Sequence, residues 1–162
     1  MQATTAALLA SLEAQRAHVL GCLEGLSAED LSRAVLPTGW SCLGLVQHLA
    51  LDVERFWFRT VMAAEEVEDG RDRSASAWSV VPGTSTDVVV GLYRAETSLA
   101  NAVIESTPLE APPRNWPDLF GDWRLADLRA VLLHVITETA CHAGHLDAAR
   151  ELIDGGTWLV LG

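Results

Sequence analysis

Apolar positions recur at three- and four-residue intervals over most of the chain, and Gly-, Pro- and Ser-rich stretches separate the runs. Leu9, Leu12, Val19, Leu23 and Leu26 predict a first helix, with stop-and-turn chemistry at Gly25 and Ser27. SAEDL at 27–31 reads as a short capped turn, because Ser27 stands three residues before Asp30. A second helix starts with Ser41 as N-cap after the Pro37-Thr38-Gly39 turn. It carries Val46, Leu49, Ala50, Val53 and Trp57 on a wide apolar face and fades into EEVEDG. Residues 69–85 predict a loop whose Trp78 tucks back against the body, and loops this long are often functional. A third helix begins near Ser85 or Thr86 and ends before Pro108. Its VVV run has strand character, but nothing nearby offers it a partner. After the irregular TPLEAPPRNWPDLFGD, a fourth helix runs from about Trp123 to Asp154 and stops at Gly155-Gly156. The tail TWLVLG offers an apolar end that can cover a bundle opening or a subunit interface.

Four long helices without a convincing strand predict an all-α fold, an antiparallel four-helix bundle with long loops between helices 2 and 3 and between helices 3 and 4. Its 162 residues, 49% apolar and 20% charged, match one globular domain spanning 1–162 with a full core.

Charge narrows the partners. Eleven basic against twenty-two acidic residues leave a net charge of −11, and every basic residue is Arg. That field repels phosphate backbones and anionic lipid, which argues against nucleic-acid or membrane partners. The N-terminus lacks the basic start and apolar run of a signal peptide, so a cytoplasmic location is expected. Cys22, Cys42 and Cys141 are odd in number and widely spaced, which predicts reduced thiols.

The chemistry gathers at ETACHAGH, residues 138–145. On a helix of 3.6 residues per turn, His134, Glu138, His142 and His145 fall within a sector of roughly 80°. Glu138 and His142, at i and i+4, can converge on one ion. A third ligand must come from another helix, and outside the stripe the histidines are His18 and His48. His48 is the better placed, because it sits among Leu45, Val46, Leu49 and Leu51, where an imidazole needs a bond to offset its burial. His48, Glu138 and His142 make a two-histidine, one-carboxylate set with open positions, suited to Zn(II), Fe(II) or Ni(II).

These residues carry a resemblance. PTGWSCLGLVQHLALDVERFW, paired with HVITETACHAGHLDAARELIDG, resembles the DinB/YfiT-like superfamily, which includes mycothiol-dependent maleylpyruvate isomerases and bacillithiol S-transferases. The resemblance implies a four-helix bundle holding a divalent metal through His48, Glu138 and His142. Many members have histidine at the position of Glu138, whereas the maleylpyruvate isomerase branch has glutamate. The HAGHLDAARE ending is similar to an uncharacterised actinobacterial-type subgroup.

The expected function is metal-dependent transfer of a low-molecular-weight thiol, mycothiol or another, to a small electrophile, or thiol-dependent isomerisation. An open-site metal lowers the pKa of a bound thiol or water at neutral pH. His145 can serve as fourth ligand, as general base for the incoming thiol, or as hydrogen-bond donor to a ligand. Asp52 can orient an imidazole, Arg55 can hold an anionic substrate, and Arg16 can clamp a carboxylate or thiol cofactor. Against these stand plainer roles: ion pairs for Arg16, Asp52 and Arg55, a core or surface position for His134, and an inert thiol at Cys141, about 100° from His142. The six tryptophans most simply seal helix ends and loops. The alternative function is a non-catalytic metal-binding, stress-response module of the same fold, and a third is a dimerising interaction protein using the WLVLG tail. Members of the superfamily often dimerise, so a homodimer is expected.

Overall fold

The computed structural model describes residues 3–67 and 76–158. Among these the regular structure is entirely helical, in agreement with the all-α expectation, and no helix is long and apolar enough to cross a membrane. The loop residues 69–75 and the tail residues 159–162, invoked above, lie outside the described residues.

Helix α1 spans Ala3–Gly21 and leads through a turn at Gly25 into the five-residue α2, Ala28–Ser32. Ser27 caps α2 by accepting a hydrogen bond from the Asp30 backbone N–H at 3.1 Å. Helix α3, Cys42–His48, is capped by Ser41, whose Oγ accepts from the Gly44 N–H at 3.1 Å. The same rod continues beyond His48 with a wider winding, a π-helix from Leu49 to Met62. Its last turn closes with the Ala63 N–H donating to the Phe58 carbonyl, five residues back, and Ala64 then breaks the path with φ at 56°. Such winding is rare and clusters at functional sites.

Helix α4 spans Thr86–Ser106 and α5 spans Leu128–Asp154. The VVV run therefore lies inside a helix. Helix α5 starts later than the apolar pattern predicts, because the Asp127 carboxylate accepts from the Ala130 N–H and fixes the first turn there. Trp123 instead joins Trp116 and Phe120 ahead of the helix, with ring centroids 5.3–5.6 Å apart. At the other end Gly155, in the left-handed region, donates its N–H to Glu151 and terminates α5.

Helix α1 packs on α5, and the α3–π rod packs on α4, with contacts also from the rod to α5. Leu12, Val19, Leu45, Val46, Leu49, Phe58, Ile104, Leu128 and Leu132 are buried where these helices meet. One ion pair is sunk into that core: Arg16 of α1 donates from Nε and Nη2 to the two oxygens of Glu54, at 2.7 and 2.5 Å. Both side chains are buried. Burial opposes the charge on Arg16, but hydrogen bonds and charge from Glu54 hold its pKa above the ordinary value. The pair locks α1 to the π-helical segment.

Candidate metal and thiol site

His48 is the last residue of α3, at the point where the winding changes. Its Nδ1 lies 3.0 Å from Oδ2 of Asp52, one turn on. Its Nε2 is buried and has no hydrogen-bond partner among the described residues. A carboxylate at Nδ1 keeps the proton there and leaves Nε2 with a free lone pair, the tautomer a metal ligand needs.

The ring packs against α5. The ring centroids of His48 and His142 are 5.1 Å apart, nearly edge-to-face, and His142 Nε2 lies 3.3 Å from Oε1 of Glu138. One donor atom from each of His48, Glu138 and His142 lies within 4.8 Å of the others, compact enough for all three to bond one cation. The structure thus brings together the three residues picked out as ligands from the sequence.

His142 is held below the ordinary histidine range, first by burial and then by the neighbouring His48 and His145, against the opposing pull of Glu138. The neutral imidazole is the form that donates a lone pair. His145 Nδ1 lies 3.3 Å from His142 Nδ1, and its side chain is exposed. Its ring packs near Trp40 at 6.2 Å.

Trp78 completes the surroundings. Its indole stacks on His48 at 4.1 Å and meets His142 edge-on at 5.4 Å, so Trp78 does tuck back against the body. Two contacts hold it there. Gln47 Nε2 donates to the Ala77 carbonyl at 2.8 Å, and the backbone at Trp78 crosses α3 so closely at Gly44 that a Cβ there would overlap the Trp78 carbonyl oxygen. Beside Trp78 opens a cavity of about 330 Å³, lined by Thr38, Gly39, Trp40, Trp78 and Ser79.

The remaining sequence candidates lie elsewhere. Arg55 donates to Glu96 of α4 at 2.7 Å, and Arg59 joins it there at 3.0 Å. Arg16 is engaged by Glu54, Glu13 and Asn101. His134 sits in an aromatic enclosure, 4.7 Å from Trp57 and 5.7 Å from Trp123, and burial lowers its pKa. Cys141 is exposed.

Sequence reasoning gave Trp78 only a packing role, because a loop residue some thirty positions from His48 has no periodic relation to it. The chain matches the family described as Mycothiol-S-transferase over residues 7–155. No curated protein matches it.

Proposed function

The chain belongs to the mycothiol S-transferase family, and from that premise we propose that it transfers a thiol of the mycothiol class to a small electrophile, using a divalent cation held by His48, Glu138 and His142. On this reading the four long helices form an antiparallel bundle whose facing sides present the ligands. The observation that carries the proposal is the buried, unpartnered Nε2 of His48, on a ring packed against His142 with Nδ1 tied to Asp52, in a set whose donor atoms lie within 4.8 Å of one another.

A bound divalent cation lowers the pKa of a thiol and polarises a substrate carbonyl. Zinc, nickel and ferrous iron all accept two imidazoles and a carboxylate. The protein's own groups do the rest. Asp52 orients His48, and Trp78 covers one face of that imidazole and abuts His142. Exposed His145, against His142, receives the thiol proton and passes it to solvent. The cavity between Trp40 and Trp78 takes the bulk of the thiol or the electrophile. In the transfer a carbon–sulfur bond forms as the bond from that carbon to its leaving group breaks. Arg16 and Arg55, each bonded to a carboxylate in the helix packing, act as positioning residues.

Protein purified without chelator is expected to consume mycothiol in the presence of a generic alkylating electrophile, and His48→Ala to fall to the uncatalysed rate. No turnover with mycothiol, bacillithiol, glutathione or coenzyme A, with zinc, nickel or iron restored, would overturn the enzyme reading. Metal bound at these three residues without turnover would favour the non-catalytic module.

A further inference from the structure

A second set of metal-ligating side chains lies on the opposite side of α5. His18 in the last turn of α1 and Cys22 just beyond its end face Asp147 of α5. His18 Nε2 lies 3.0 and 2.9 Å from the two carboxylate oxygens, and the Cys22 thiol donates to Oδ1 at 3.2 Å. One nitrogen, one sulfur and one oxygen therefore converge from two helices, with donor atoms all within 4.8 Å of one another. His18 and Cys22 are buried, and Asp147 is half-buried.

The set is separate from the first site. Asp147 follows His142 by five residues, which on an α-helix is about 140° around the axis. Its neighbours differ as well. The Trp158 indole stacks on His18 with centroids 6.0 Å apart, and it lies so close over the end of α1 that a Cβ at Gly21 would overlap it. Next to Cys22 opens a cavity of about 200 Å³ bordered by Arg150, Gly156 and Trp158.

We propose that His18 Nε2, Cys22 Sγ and the Asp147 carboxylate form a second divalent-cation site, of the zinc class, that fastens α1 to α5. Tetrahedral zinc with bonds of about 2.0 Å to nitrogen and oxygen and about 2.3 Å to sulfur sets its ligands about 3.3–3.6 Å apart. The separations from the Asp147 carboxylate, 2.9–3.2 Å, need to widen by only a few tenths of an ångström, and the His18 and Cys22 donors lie within 4.8 Å of each other. A thiolate, a carboxylate and an imidazole suit zinc over the hard cations calcium and magnesium. Two anionic ligands balance the two charges of the ion, and the thiol proton leaves to solvent as the cation enters. The adjoining cavity supplies the fourth position, open to water. The residual position makes this an exchangeable site.

The test uses the full chain in a Cys141→Ser background, which removes the exposed thiol, with a phosphine reductant and no added low-molecular-weight thiol. Cobalt(II) loading reports thiolate ligation through its near-ultraviolet charge-transfer absorption, and the His48–Glu138–His142 set holds no cysteine. The absorption is expected in both this background and its His48→Ala derivative, and its loss is expected on adding Cys22→Ser. Zinc stoichiometry is expected to fall from two per chain to one with either His48→Ala or Asp147→Asn. Far-ultraviolet circular dichroism confirms that each variant is folded, and Asp147→Asn, which keeps the thiol, provides the second variant should Cys22→Ser unfold. Loss of zinc at the first site alone would sink the mechanism above and leave this proposal standing. Absence of the cobalt–thiolate absorption, its persistence after Cys22→Ser, or unchanged stoichiometry in folded Asp147→Asn would reduce the cluster to a hydrogen-bonded clasp and overturn it.

Discussion

Trp78 lies face-on to His48, with ring centroids 4.1 Å apart and planes 17° from parallel. The indole covers one face of the imidazole, and the His142 ring meets it at 5.1 Å, nearly edge-to-face. Removing the cover with Trp78→Ala is expected to weaken metal affinity about 10–100-fold, the range found when groups supporting a ligand are lost. Gly44→Ala should act in the same direction by pushing the Trp78 backbone off α3. Competition with a chromophoric chelator measures both, and unchanged affinity in Trp78→Ala would show the stacking to be mere packing.

Asp52 touches His48 through Nδ1 and lies about a turn beyond it. Asp52→Asn keeps the shape but removes the negative charge that fixes the imidazole tautomer. Metal affinity is expected to drop about 10–100-fold while urea stability hardly changes, with Asp52→Glu restoring part of the loss. Equal losses in stability and affinity would assign Asp52 a structural role instead.

The Arg16–Glu54 pair gives a stability prediction. Glu54→Ala takes the buried carboxylate from a buried guanidinium, leaving it only Glu13 and Asn101, and should cost about 3 kcal/mol, whereas Arg16→Met with Glu54→Met should recover most of it. Urea titrations compare the two. The double variant also separates roles: a thiol-binding Arg16 would raise KM for the thiol, and a positioning Arg16 leaves it unchanged.

Acid should loosen the contact between the rod and α4. Burial pushes the Glu96 carboxyl up, but hydrogen bonds from Arg55 and Arg59 outweigh it and hold the pKa below the ordinary value. A group lowered in this way contributes stability that is complete above the unfolded pKa, about 4.3, and is lost as pH falls through the lower folded value. Unfolding free energy is therefore expected to decline below about pH 4.3, and Glu96→Gln to flatten that decline.

Capping offers a smaller effect. Asp127→Ala removes the acceptor for the Ala130 N–H and should cost about 1 kcal/mol without altering metal binding, read from thermal midpoints and metal titration together.

Much of this arrangement was readable from the amino-acid pattern, for reasons that also mark its limits. Ser27, Ser41 and Gly155 act within three or four residues of themselves, so their effects appear in local spacing. The same holds for Glu138 and His142, one turn apart on α5. His48 was found because a histidine among leucines needs a partner. Asp127 is not marked as the cap by the sequence, because the apolar pattern extends back to Trp123 and pattern alone does not say which polar residue captures the first free N–H. His18 and Cys22 stand at i and i+4, but their partner Asp147 is 125 residues from Cys22, and no local spacing ties it to them. Partners of Arg16 and Arg55 are equally distant in sequence and depend on helix packing that periodicity does not encode. The wide winding after His48 has no compositional signature.

That winding restricts how the chain can change. Excising one residue between Leu49 and Met62 while the wide winding persists would turn everything beyond the cut by roughly a quarter turn relative to what precedes it. Cut just after His48, the rod would swing Asp52 away from the imidazole and Glu54, Arg55 and Arg59 away from Arg16 and Glu96 in one step. Substitutions along this rod can be absorbed singly, but a length change cannot, so the segment should vary in its letters across descendants of this chain while keeping its count.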